Sequence, residues 1–205
     1  MVLYLLIILI GMVLVAAGNA VYGVAAGTVS WWLPAVLTVG TVAALFICDL
    51  LFAFLIKSLP RKWFNPRRRI FRAGRCETRF YEFLRINKWK DKIPEVGKLV
   101  GYDKTKVGDL SAANLKMFLT ETAYAEVIHY FCLLSGVIVS IVYFLLPIPQ
   151  IQGFFWTVIL PCSLVNFFLN LPPIFIQRHN RPRLIRIYDL LVKKEEKAAA
   201  VNSPL

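Results

Sequence analysis

Four long apolar stretches, at about residues 2–26, 32–56, 123–146 and 151–176, alternate with two polar blocks and two short uncharged links. A membrane-spanning helix needs about 20 predominantly apolar residues, so each stretch is predicted to span. The links Gly27–Trp31 and Pro147–Gln150 are short enough to make each pair a helical hairpin. The pattern predicts an all-α integral membrane protein of four transmembrane helices in two hairpins, 1–56 and 123–176. Residues 1–20 lack the positive start of a signal peptide, and their apolar run is long, so a retained first helix is expected. Asn19 is that helix's one strongly polar side chain and reads as structural. Trp31-Trp32 opens the second span as an interfacial aromatic pair, and Asp49 interrupts its second half.

The loop at 57–122 is too long for a simple connection and is expected to form a basic cap. Within Glu77–Trp89, Phe80 and Leu84 lie at i, i+4 beside Tyr81 and Phe83, which predicts a short interfacial amphipathic helix. Pro94, Gly97, Gly101 and Gly108 mark turns. Gly97-Lys98-Leu99 lacks the glycine spacing and the Ser or Thr of a phosphate-binding loop. Ser111 is a plausible N-cap for a helix that runs from Ala112 unbroken into the third span. Pro161 and Pro172-Pro173 are expected to kink or end the fourth helix. Leu184, Ile187, Tyr188 and Leu191 then repeat at i, i+3, i+4, i+7. They predict an interfacial basic helix over 177–197, with Arg186, Lys193, Lys194 and Lys197 toward headgroups and a disordered tail at 198–205.

Charge adds orientation. At 58% hydrophobic and mean hydropathy +0.62 this is no ordinary soluble domain. Of the 24 Lys and Arg, 17 fall in 57–116 and 7 in 178–197. Basic loops stay on the cytoplasmic side, so both blocks and both termini are expected in the cytoplasm. A net charge of +12 suggests a polyanionic partner. Beside membrane spans that partner is the anionic headgroup, at about 1 kcal/mol per basic residue, and not nucleic acid. Residues 57–75, with eight basic residues and no acid, read first as a membrane-surface anchor. Cys48, Cys76, Cys132 and Cys162 show no metal-type clustering and read as small packing residues.

Ionisable groups inside a span cost about 2.5–3.5 kcal/mol on insertion scales, so those present need a reason. Asp49, the Glu126–His129 pair, and Asn166 with Asn170 lie roughly 5–15 Å below the inner surface at 1.5 Å per residue. Glu126 and His129 share a face at i, i+3, with Thr122 on it and Glu121 not far round. A carboxylate beside an imidazole fixes its tautomer, as a general base requires. The same pair also serves as a hydrogen-bonded link between helices. Asp49 reads equally as an ion-pair partner, and Asn166 and Asn170 as helix–helix glue. A di-metal bundle would need a second Glu-x-x-His, so no metal is expected. Arg178, Arg181 and Arg183 have the chemistry to clamp a phosphate, with Gln177 and Asn180 toward sugar hydroxyls, or they are orienting charge at a helix end.

Three strings go further: Lys88-Trp89-Lys90-Asp91-Lys92-Ile93-Pro94, Glu121-Thr122-x-x-Ala125-Glu126-x-x-His129, and Asn170-x-Pro172-x-x-x-Gln177-Arg178-x-Asn180-Arg181-Pro182-Arg183-Leu184. In this order the chain resembles the glycosyl-4,4'-diaponeurosporenoate acyltransferase family, over roughly 77–195. His179 stands where the family usually has an aromatic residue, and Tyr130 where a Trp often follows the matching His. The resemblance implies a bacterial plasma-membrane enzyme that esterifies a fatty acyl group onto the sugar hydroxyl of a glycosylated carotenoid acid, the last step to a staphyloxanthin-type pigment. On that reading His129 is the general base, with Glu126 orienting it and Glu121 as second candidate. The acyl chain lies between spans. Arg178, Arg181 and Arg183 hold an anionic donor or headgroup, and Lys88, Trp89 and Lys90 form the interfacial mouth. Asp49, Asn166, Asn170, Gln177 and Asn180 are further candidate contacts. Acyl-CoA suits as donor, with no bound cofactor; the partners are membrane lipids, the donor and a lipid-linked acceptor. The competing readings are a non-catalytic lipid-binding or assembly protein and a small transporter.

Overall fold

The structure is a computed structural model that describes residues 2–25, 32–90, 111–146 and 153–201. Both hairpin links, with Trp31, and the stretch holding Pro94, Gly97, Gly101 and Gly108 fall outside them. Every regular element among the described residues is helical: α1 (Val2–Ala25), α2 (Leu33–Ser58), α3 (Arg75–Phe83), α4 (Ile86–Trp89), α5 (Ala112–Leu145) and α6 (Leu160–Val201). Short 3-10 turns lie at Arg61–Phe64 and Arg69–Phe71, and a π turn at Phe155–Ile159. Four helices are long and apolar enough to cross a membrane, as the hydrophobic pattern predicts. The chain divides into two compact units, Met1–Ser58 with Ile128–Pro172, and Leu59–Val127 with Pro173–Leu205. Helices α5 and α6 each contribute to both.

In the first unit α1 packs against α2, and both meet the π turn. Leu37, Phe154, Val158 and Ile159 form one buried cluster and Leu45, Val139 and Cys162 another. Lipid offers no hydrophobic drive between helices, so small residues and polar contacts hold them. A Cβ on Gly136 would sit 3.1 Å from the carbonyl oxygen of Ser163, so a side chain there would force α6 back by a few tenths of an ångström. Ser140 and Ser163 exchange a hydrogen bond of 3.2 Å there. The π turn has a local cause. Pro161 offers no N–H to the carbonyl of Thr157, one turn back, and its ring crowds it. Asn19 takes that carbonyl instead, donating at 3.0 Å to Thr157 and at 2.8 Å to Val15. Its expected structural role is this bond.

In the second unit Tyr81, Ile86 and Ile176 are buried together. Phe64 stacks on Tyr124 at 3.7 Å between ring centroids, and the Tyr124 hydroxyl donates to the Leu59 carbonyl at 2.8 Å. Ser111 caps α5 as expected, accepting from the Asn114 amide at 3.2 Å, and the Glu195 carboxylate takes the Ala112 amide at 2.8 Å. The helix then runs unbroken to Leu145.

Two expectations change. The amphipathic helix expected over Glu77–Trp89 is two helices, broken where Arg85 turns left-handed at φ 50°. Its anchor is Tyr81, while Phe83 is 80% exposed. And α6 neither ends at Pro172-Pro173 nor gives way to a separate helix; it continues to Val201, into the tail expected to be disordered. Two missing amide donors do not end a helix that packing secures on both sides. Asn170 is bonded before the prolines, and Ile174 and Ile176 are buried after them.

Candidate functional site

Five polar residues of the first unit, His129, Asn170, Asn166, Ser135 and Asp49, form one directed chain of hydrogen bonds. His129 Nδ1 lies 2.8 Å from Asn170 Oδ1. The amide of Asn170 donates to Asn166, at 3.2 Å to Oδ1 and 3.0 Å to the carbonyl. The amide of Asn166 donates at 3.0 Å to Ser135 Oγ and at 3.0 Å to the Cys132 carbonyl. Ser135 Oγ lies 2.7 Å from Asp49 Oδ1 and 2.8 Å from the Cys132 carbonyl. A charged acceptor makes the stronger bond, so the hydroxyl hydrogen goes to Asp49. Because each amide oxygen accepts and each amide nitrogen donates onward, the proton on His129 sits at Nδ1. Nε2 keeps its lone pair. Asn170 is 8% exposed and Ser135 fully buried, while the His129 ring is only partly covered. An imidazole with a fixed tautomer and some exposure suits base catalysis at a hydroxyl.

Glu126 is not the residue that orients His129. Its two oxygens are claimed by two guanidiniums of the second unit: Arg178 Nη1 at 2.6 Å on one, Arg181 Nη1 on the other. Both Glu126 and Arg181 are 1% exposed. Charge-assisted bonds of this kind outrank a carboxylate–imidazole contact, so the i, i+3 spacing found a shared face but not the partner.

The arginine clamp needs correcting too. Arg178 places all five of its N–H donors within the protein: Nε and Nη2 on Glu77 (Nη2 at 2.9 Å), Nη1 on Glu126 and the Ile70 carbonyl at 2.9 Å, Nη2 also on the Arg72 carbonyl at 3.1 Å. Arg181 bonds the carbonyls of Phe71 at 3.0 Å and Thr122 at 3.1 Å besides Glu126. Arg178, its five donors taken, has none left for a phosphate, and Arg181 is sealed from one at 1% exposure. These two arginines tie the 3-10 turn at Arg69–Phe71 and α3 to α5 and α6 within the unit. Only Arg183 of the three is exposed.

Glu77 completes the pairing. Burial opposes its charge, but the Arg178 guanidinium, the Tyr81 hydroxyl and the Gly74 amide outweigh burial and hold the carboxyl below its usual range. The Tyr81 hydroxyl is pushed up, by burial first and then by its bond to Glu77.

The remaining candidates divide by surroundings. Trp89 Nε1 donates to the Leu84 carbonyl at 2.9 Å and its ring packs beside Tyr81 and Ile86. Lys90 Nζ donates to Asn180 Oδ1 at 3.0 Å. Lys88 is exposed, while Gln177 and Glu121 are half-buried. His179 sets its ring edge-on to Tyr81 at 6.0 Å and meets Asn87 at 3.0 Å, so an imidazole fills an aromatic position. Ser135 and Glu77 escaped the sequence reading. One serine in an apolar span and one acid in a basic loop are too common to signal anything alone.

The model of the glycosyl-4,4'-diaponeurosporenoate acyltransferase family matches residues 60–190. The chain belongs to that family. A relative of that name from Staphylococcus aureus (strain MRSA252) is 27% identical over 160 residues, 74% of this chain and 87% of the relative. Another, from Staphylococcus haemolyticus (strain JCSC1435), is 30% identical over 118 residues, 57% of this chain and 62% of the relative. No solved structure matches. The acyltransferase match takes in His129, Asn166, Asn170 and the buried Glu126–arginine pairing. It leaves out Asp49, where the hydrogen-bond chain ends. Of the three strings that carry the family resemblance, only Asp91–Pro94 lies outside the described residues.

Proposed function

We propose that this protein is a membrane O-acyltransferase that esterifies a fatty acyl group onto a sugar hydroxyl of a lipid-linked acceptor, a glycosylated carotenoid acid or a related glycolipid, at the cytoplasmic face. Its family and the names of its relatives support the reaction class. The observation that carries the mechanism is the tautomer of His129, whose Nδ1–H is committed to Asn170. Nε2 takes the proton of the acceptor hydroxyl as the oxygen attacks the carbonyl carbon of an acyl thioester, acyl-CoA by class. The C–O bond forms and the C–S bond breaks. The departing thiolate receives the proton from the imidazolium, which returns the base to its starting state. Asn170 holds the ring and stabilises its charge through the chain that ends on Asp49. Arg183 and Lys88 are exposed, and basic side chains of that kind would attract an anionic donor.

The test is reconstitution in liposomes with isotopically labelled acyl-CoA and a glycosylated carotenoid, followed by mass spectrometry for the new ester. His129→Ala should insert and fold yet lose about 10²–10⁴-fold in turnover. Full activity in that variant would sink the mechanism. Lipid binding without any ester from the unaltered protein would favour an assembly role.

A further inference from the structure

Within the first unit an apolar cavity of about 390 Å³ opens between α5, α6 and the π turn. Its walls are two helical stripes. On α5 the lining residues Leu133, Gly136, Ser140 and Phe144 follow one another at steps of three and four, and on α6 Leu160, Ser163 and Phe167 do the same. Residues so spaced share a face. Continued one step along each helix, the two stripes reach His129, four before Leu133, and Asn170, three after Phe167. Those two side chains are bonded to each other. The groove's lining therefore stops one step short of the candidate catalytic pair, on the helix faces that carry it.

We infer that this groove is the seat of the acyl donor's hydrocarbon chain, with the carbonyl end at His129 and the tail toward Phe144 and Phe155; the inference rests on the acyl-transfer reading above. Three observations select this occupant. The lining is apolar, and its two serines satisfy each other at 3.2 Å. From Leu133 to Leu145 the groove runs about 18 Å along α5 at 1.5 Å per residue, close to the depth of one leaflet of a hydrocarbon core about 30 Å thick. And the apolar wall begins within one helical turn of the imidazole. A donor's chain starts at the carbon beside the reacting carbonyl, so it needs apolar surface at once. The acceptor's apolar part is held away from its reacting hydroxyl by a whole sugar, so it would leave this first turn unfilled. Gly136 makes the groove's floor by letting α6 approach, and a side chain there would meet Ser163.

The experiment uses the full chain in liposomes and two photoreactive acyl-CoAs, one carrying a diazirine near the carboxyl end and one at the tail. The first should label the peptides of Leu133 and Phe167, and the second those of Phe144 and Phe155, with both displaced by unlabelled acyl-CoA. Ser140→Trp should remove the tail label and shift the acyl-length preference in kcat/KM at least tenfold toward short chains. Leu134→Trp, on the exposed side of α5 and outside the groove, should do neither. Identical labelling by both probes overturns the inference. So does equal labelling by a photoreactive phospholipid that acyl-CoA does not displace, which makes the groove a bulk-lipid site, or preferential labelling by a photoreactive carotenoid glycoside. The two readings fail separately. Ester formation with unpolarised labelling removes the groove assignment alone, and polarised labelling with no ester removes the catalytic reading while leaving the acyl site.

Discussion

At His129 one ring nitrogen is committed and the other is open, and Asn170 makes that division. Asn170→Ala should lower kcat more than it changes KM, because the acceptor would meet a ring of mixed tautomers. Equal effects on both would mean that Asn170 contacts substrate instead of positioning the base. Glu126 tests the opposite kind of role. Removing one partner of a buried ion pair strands the other, at a cost of about 3–5 kcal/mol. Glu126→Ala leaves Arg181, itself 1% exposed, without its carboxylate. Denaturant unfolding in detergent should show a loss of that size. A variant that unfolds normally but makes no ester would return Glu126 to the catalytic list. Sequence spacing located both residues but could not tell them apart. Spacing reports which residues share a face, and the partner comes from another helix 41 residues away for His129 and 55 away for the Glu126–Arg181 bond.

Among the elements, spans and caps were legible because their causes are local. Apolar length marks α1, α2, α5 and α6, and Ser111 opens α5 in the place its side chain allows. The effect of the prolines was not legible. Pro161 costs α6 a backbone donor, and the replacement comes from Asn19, 138 residues before the carbonyl it serves. That compensation makes a double-mutant cycle. Asn19→Ala should destabilise the protein by about 1 kcal/mol, since a carbonyl turned toward lipid loses its donor. In a Pro161→Ala background the restored amide supplies the bond, and the same substitution should cost clearly less. Additive losses, read from thermal unfolding in matched detergent, would detach Asn19 from the π turn. The split between α3 and α4 was hidden for a related reason. Nothing in Phe83-Leu84-Arg85-Ile86 announces a left-handed residue, yet burying both Tyr81 and Ile86 against Ile176 requires the chain to turn at Arg85.

For the whole molecule, the distribution of basic residues makes orientation a measurable quantity. Of the four cysteines only Cys76 is exposed, and it lies within the larger basic block. If basic loops remain in the cytoplasm, a membrane-impermeant maleimide should label Cys76 in opened cells and not in intact ones. Labelling in intact cells would invert the topology. The arginine pairing has a further consequence, for biogenesis. Glu77 and Glu126 wait for Arg178, 101 and 52 residues downstream, and Glu126 also waits for Arg181. While the chain is being made, an acid on α5 and another on α3 stand without the counter-charges that later pair with them. The first three spans can be inserted by then, but the second unit cannot close until α6 has emerged past its paired prolines. A chain stopped after Ile176 should therefore keep its membrane spans and leave residues 59–90 open to protease. Protection equal to that of the full chain would show that closure does not wait. Only a chain translated past residue 181 can pair all four of these charges.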